Sequence, residues 1–126
     1  MNTVKMTDCE LLVMKCVWVS DHEMALPEIV DMVNTKFSKE WKSQTVSTFL
    51  ARLVKKEFLT LYRSGRQFYY VPLIQEKDYK ENVIEECVEF WCDNDASNLL
   101  VALGNKRKLT KVEIAGIKEL LTAYEK

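Results

Sequence analysis

The residues best placed to do chemistry in this chain are a run of short polar donors followed by cations. Gln44, Thr45, Ser47 and Thr48 come first, then Arg52, Lys55 and Lys56. All lie in the stretch 41–56, WKSQTVSTFLARLVKK, whose Val46, Phe49, Leu50, Leu53 and Val54 recur at the spacing of one apolar helical stripe. The spacing therefore predicts a helix with one buried face and one offered face. Ser43 stands where an N-cap is expected. Small donors at a helix start reach base edges in a DNA major groove, and cations further along meet phosphates. On the helix alone, an ordinary solvated face is an equal reading.

Other candidate chemistry is thinner. Cys87 and Cys92 are five apart, with Glu89, Asp93 and Asp95 nearby. That spacing does not set two side chains on one helix face as three or four does, and metal sites favour tighter pairs. Packed thiols are expected, at Cys9 and Cys16 as well. His22 is the only histidine and sits in a polar turn beside Asp21, so it offers neither a triad nor a metal set and reads as a surface residue. With three glycines there is no phosphate-cradling loop, and no nucleophile elbow or carboxylate pair stands out. No enzyme, no cofactor and no metal are expected.

The elements that would position the polar face follow from the chain order. Thr7 to Glu10 is a capping box opening a helix from about Asp8 to Val19, with Leu11, Met14, Val17 and Trp18 as its apolar face. Pro27 suits the first turn of a second helix reaching about Thr35, with Ile29, Met32 and Val33 buried. Phe37 and Trp41 sit in the linker to the third helix. After Phe58 the period changes. Residues 59–63 alternate, Ser64-Gly65 supplies a turn and residues 66–71 are aromatic and β-branched, giving a β-hairpin that Pro72 ends. Arg63 and Arg66 flank its tip. Three helices and then a hairpin is the order of a winged helix-turn-helix, expected over residues 1–74.

Residues 75–126 read as three more helices: about Glu76 to Cys92, Ala96 to Leu103 closed by Gly104 as the residue past the end, and one opened by a second capping box at Thr110-Lys111-Val112-Glu113. Their apolar stripes contain Ile84, Cys87, Val88 and Trp91, then Leu99, Leu100 and Leu103, then Ile114, Ile117, Leu121 and Tyr124. A segment this short rarely closes a core alone. It is expected to interlock with a two-fold mate, symmetric dimers being the commonest assemblies, with a helical cap on the monomer as the alternative. The fold class is thus mainly α with a small β-hairpin.

Charge is near balance overall, at −1, but unevenly spread. Residues 36–66 carry eight Lys/Arg against Glu40 and Glu57, a net of +6, and the flanks are acidic. A local basic stripe on an acidic chain suits a DNA contact. No apolar run approaches the ~20 residues of a membrane span. The opening MNTVKMTDCELLVMK lacks the h-region of a signal peptide. A cytoplasmic protein with reduced cysteines is expected.

Residues 10–18 (ELLVMKCVW), 41–59 (WKSQTVSTFLARLVKKEFL) and 65–73 (GRQFYYVPL) resemble the penicillinase-repressor family, BlaI/MecI/CopY. Leu109, Glu113, Ile114, Ile117, Leu120 and Leu121 echo that family's last helix. The resemblance implies a homodimeric winged-helix repressor on a pseudo-palindromic double-stranded DNA operator. Gln44, Thr45, Ser47 and Thr48 would then read bases, and Ser43, Arg52, Lys55, Lys56, Arg63 and Arg66 would hold phosphates. The family often has Lys or Arg where Gln44 and Ser47 stand here. The β-lactam branch is cleaved at an Asn-Phe bond, which this chain lacks, and the copper branch carries paired C-x-C motifs, also missing. A regulatory protease or sensor is therefore left open. Two rivals stay open as well: a winged helix that binds protein, and a thiol- or metal-responsive repressor using Cys87 and Cys92.

Overall fold

The computed structural model describes residues 5–126, so the first four residues of the stretch read for a signal peptide lie outside it. The chain forms two compact units, the first ending at Lys80 and the second running from Glu81 to Lys126.

In the first unit, α1 (Asp8–Val19) opens on the expected capping box. The Glu10 N–H donates to Thr7 Oγ1 at 3.2 Å, and the Thr7 N–H donates to Glu10 Oε1 at 2.9 Å. Its buried face differs from the expected one. Glu10, Val13, Met14, Cys16 and Val17 are buried, while Leu11 is exposed. Apolar residues ring this helix on nearly every side, so periodicity alone does not choose the face.

A two-residue strand, β1 (Met24–Ala25), follows the polar turn, where no strand is expected from the sequence. It leads into α2 (Leu26–Phe37), with Pro27 in the first turn. Ile29 and Val33 are fully buried and Met32 is partly so. Next comes α3 (Ser43–Lys55), in which Ser43 is the first helical residue rather than the cap. Lys42 holds the cap position and gives no side-chain hydrogen bond.

The hairpin β2 (Leu59–Ser64) and β3 (Gln67–Pro72) pairs from Leu59↔Pro72 to Ser64↔Gln67. Gly65 is the first of its two turn residues and has φ 65°, the left-handed value such a turn requires. Strand β1 adds to β3 through Met24↔Tyr70 and Ala25↔Tyr69, making an antiparallel sheet in the order β1-β3-β2. The core joins Val13, Met14 and Cys16 of α1 to Ile29 and Val33 of α2, Val46, Leu50 and Leu53 of α3, and Phe58 and Leu59 at the hairpin base. Tyr79 closes it, its ring 5.7 Å from both Trp18 and Phe58.

The helix α4 (Glu76–Trp91) runs across the boundary of the two units. In the second unit, Asp95 caps α5 (Ala96–Lys106), accepting from the Ser97 N–H at 2.9 Å. Gly104 does not end this helix as expected. The helix continues to Lys106, and the Arg107 N–H bonds the Leu103 carbonyl. The helix ends where the Arg107 backbone turns extended, at φ −161° and ψ 161°, and the Arg107 guanidinium donates twice to Glu113 at 2.8 and 2.7 Å. That glutamate also completes the expected capping box with Thr110 at the start of α6 (Lys111–Tyr124). No residue of α4, α5 or α6 is buried. Ile84, Trp91, Leu100, Leu103, Ile114, Leu121 and Tyr124 are exposed, and Cys87, Val88, Leu99 and Ile117 are half-buried.

Candidate nucleic-acid interface

The sequence of α3 divides it cleanly. Val46, Leu50 and Leu53 face inward with no exposed surface. Phe49 and Val54 widen the stripe, and the Phe49 ring lies 5.1 Å from Trp41. On the other side Gln44, Thr45, Thr48, Arg52 and Lys55 are exposed, and Ser47 is half-buried. The Thr48 hydroxyl donates to the Gln44 carbonyl at 3.0 Å. Its lone pairs and methyl group stay available, so it can accept a hydrogen bond or touch a thymine methyl. Arg52 lies 5.9 Å over the Phe49 ring, which limits the swing of its guanidinium. Arg52 and Lys55 occupy the last turn, where the helix dipole favours cations.

The Asn34 side chain ties the end of α2 to the approach to α3. Asn34 accepts from the Trp41 N–H and donates to the Trp41 carbonyl, both at 3.0 Å. Ser38, in the left-handed region at φ 54°, turns the chain so that the Lys39 N–H reaches the Asn34 carbonyl at 3.1 Å. This pair of bonds makes the loop behave like one more rung of structure. The signal was present, since Asn favours such backbone-mimicking turns, but its partner is seven residues away.

The hairpin carries the remaining cations. Arg63 donates to the Gly65 carbonyl at 3.1 Å and lies 6.0 Å over Phe68, while Arg66 is exposed at the tip. Tyr62 stacks on Tyr69 at 5.6 Å and donates its hydroxyl to Glu23. Strand β2 is thereby tied to the turn before α2.

Lys56 is set apart from the other predicted phosphate contacts. Its ammonium donates to the buried Glu10 carboxylate at 2.6 Å and to the Lys5 carbonyl at 3.0 Å. Burial pushes the Glu10 carboxyl up, but Lys56, Thr7 and the charge of Arg52 outweigh it and hold it below the usual glutamate value. Ser43, exposed in the first turn, lies beside backbone N–H groups that no side chain caps.

No group of three His, Cys, Asp or Glu able to hold a metal ion occurs among the described residues. Cys92 is buried and Cys87 half-buried. Burial pushes the Cys92 thiol up, and Cys87, Asp93 and Asp95 add to the effect. His22 lies between Asp21 and Glu28 at 2.7 Å from each. No helix of the described residues is long and apolar enough to cross a membrane.

Comparison with known proteins gives concordant results. The penicillinase repressor family matches residues 6–123. An uncharacterized 16.5 kDa protein in the ptsI 3′ region of Latilactobacillus sakei is 32% identical, covering 97% of this chain and 82% of that one. The penicillinase repressor of Bacillus licheniformis is 26% identical over 96% of this chain and 92% of its own. The methicillin resistance regulatory protein MecI of Staphylococcus aureus is 24% identical over 95% of each. Among solved structures, the DNA-binding domain of the repressor BlaI superposes with a TM-score of 0.52 at 33% identity, covering 62% of this chain and 92% of that one. The Bacillus licheniformis BlaI monomer in complex with the blaP half-operator gives 0.50 at the same identity and coverage.

Proposed function

The chain belongs to the penicillinase repressor family of DNA-binding transcriptional regulators, and on that premise we propose that it represses as a homodimer on a pseudo-palindromic operator. The observation that carries this reading is the division of α3 into a buried apolar stripe and an exposed face of donors followed by cations. Residues 1–74 are the DNA-binding domain in this reading, and residues 75–126 join two copies. Each copy lays α3 in a major groove. Gln44, Thr45 and Thr48 read base edges there, Ser47 assisting. Arg52 and Lys55 hold phosphates along the groove, and Arg63 and Arg66 hold backbone beside it. Ser43 and the uncapped first-turn N–H groups of α3 receive a further phosphate, favoured by the positive end of the helix. A half-operator complex of the BlaI monomer is consistent with one such unit per half-site.

Two half-sites then lie one or two helical turns apart, in steps of ~34 Å. Repression follows from occluding a promoter, and the protein works in the cytoplasm with its DNA. Without an Asn-Phe bond, induction does not run through cleavage at such a bond.

Selection of bound fragments from a sheared genomic library, at ~150 mM salt where weak charge attraction is damped, tests the proposal. Enrichment of a two-fold symmetric motif is the expected result. A folded dimer that enriches no motif would assign the offered face of α3 to another partner. Two substitutions divide the contacts further. Arg52→Ala should weaken binding to every sequence and reduce the slope of log K against log salt by about 0.9. Thr48→Ala should instead relax preference at one position of each half-site.

A further inference from the structure

Glu10 has a second partner that capping α1 does not call for. Its Oε1 atom takes the Thr7 N–H and also the ammonium of Lys56, 46 residues further on. The glutamate is 1% exposed and the Lys56 side chain 26%. Lys56 directly follows α3, four residues beyond Arg52, at the spacing that sets two helical side chains side by side. Arg52 and Lys55 extend into solvent, but Lys56 is turned inward, with a second proton given to the Lys5 carbonyl. The cationic end of α3 thus offers one charge fewer than its sequence contains.

We propose that Glu10 is a specificity-determining residue that withholds Lys56 from the DNA backbone. The inference rests on the DNA-binding reading above. A phosphate would have to draw the ammonium from a carboxylate already stripped of water, and a buried carboxylate left without its partner is strongly disfavoured. Lys56 therefore stays in place. Phosphate contacts add affinity for all sequences alike, so holding one back raises the ratio of operator binding to random binding. It also anchors the end of α3 to α1.

Salt titration of the full chain on a duplex of mixed sequence separates withholding from plain anchoring, because a purely structural contact leaves the salt slope unchanged. Glu10→Gln keeps the shape and an oxygen for the cap but frees Lys56. Its slope should steepen by about 0.9 per bound chain, making its affinity loss between roughly 50 and 200 mM salt about threefold greater than that of the unaltered chain. Lys56→Gln, whose amide can still donate to Glu10, should leave the slope of the unaltered chain in place. Added to Glu10→Gln, it should return the slope to the starting value. A fall of about 0.9 for Lys56→Gln alone would show Lys56 already on the backbone and overturn the proposal. So would an unchanged slope for a Glu10→Gln chain that melts as a folded protein. If Glu10→Gln does not fold, Glu10→Leu, which refills the buried site without a charge, takes its place, a steeper slope supporting the proposal and an unchanged slope overturning it. An unaltered chain that binds no duplex would overturn the DNA-binding reading itself, before any variant is compared.

Discussion

The two units of the chain treat their apolar residues in opposite ways. In the first, Met14, Ile29, Leu50 and Leu53 lose all contact with solvent, and three short helices and a hairpin suffice to cover them. In the second, helices with comparable apolar stripes leave Trp91 77%, Val112 82% and Tyr124 79% exposed, and only Cys92, just past α4, is buried. The first unit completes its own core. The second carries half of one, on helices whose ends are nonetheless well specified by Asp95 and the Thr110–Glu113 box. Secondary structure there is set locally, while the burial that stabilises helices in water is not completed within the unit. A copy of itself, as proposed above, supplies that surface at no cost in new sequence.

The strongest way to break this contrast is to spoil the exposed stripe. Trp91→Asp combined with Leu121→Asp should give a monomer by sedimentation. Losing the second half-site should lower operator affinity by at least ~100-fold, the usual scale of avidity between linked sites. Unfolding of the first unit should be unaltered. A double variant that remains a dimer with full affinity would show that these faces are not where two copies meet.

A smaller effect sharpens the same comparison from inside each unit. Leu50→Ala should destabilise the first unit by about 2–5 kcal/mol, the range for a fully buried leucine. Leu120→Ala, at a position 55% exposed, should cost under about 1 kcal/mol in dilute solution where copies are separated. Urea unfolding followed by tryptophan fluorescence measures both. Equal losses would mean that the second unit has a closed core of its own.

How much of this was legible in the sequence depends on how far apart the determinants lie. The capping boxes at Thr7 and Thr110 involve residues three apart, and both were read correctly. The hairpin was readable from Gly65 and the change of period after Phe58. The family resemblance in residues 10–18, 41–59 and 65–73 is borne out by the family match. Strand β1 was not legible, because two residues show no alternation and its partners, Tyr69 and Tyr70, are some 45 positions away. The inward turn of Lys56 depends on Glu10 in the same way, and the α2–α3 loop on Asn34 reaching Trp41. Gly104 misleads for a different reason: a glycine only disfavours a helix mildly, and the chain turns extended three residues later, at Arg107. The proposed base-reading residues were legible as an exposed polar face, but nothing in one chain says which base each would meet.

The smallest expected effect concerns ion pairs on the surfaces of the two units, which should fail at opposite ends of the pH scale. In the second unit the Arg107 guanidinium, followed by the Thr110 N–H, holds the Glu113 carboxyl down to about 2. A depressed carboxylate contributes stability above its unfolded value near 4.5 and loses it as pH falls toward 2. In the first unit, hydrogen bonds to Asp21 and then Glu28 raise the His22 imidazole above its ordinary 6.5. A raised base behaves in reverse, contributing fully below 6.5 and losing its contribution as pH rises through the folded-state value. His22 is exposed and Glu113 half-buried at the surface, so the change in melting temperature should be slight. The titration itself is easier to see. As the only histidine, His22 gives one imidazole Cε1–H resonance, whose NMR midpoint should lie above 6.5. Glu28→Gln should bring that midpoint down while leaving the remaining Asp21 bond to hold it above 6.5. A midpoint at or below 6.5 in the unaltered chain would mean that the turn between α1 and α2 is not clasped by these carboxylates. The contrast between the units would then rest on their cores alone.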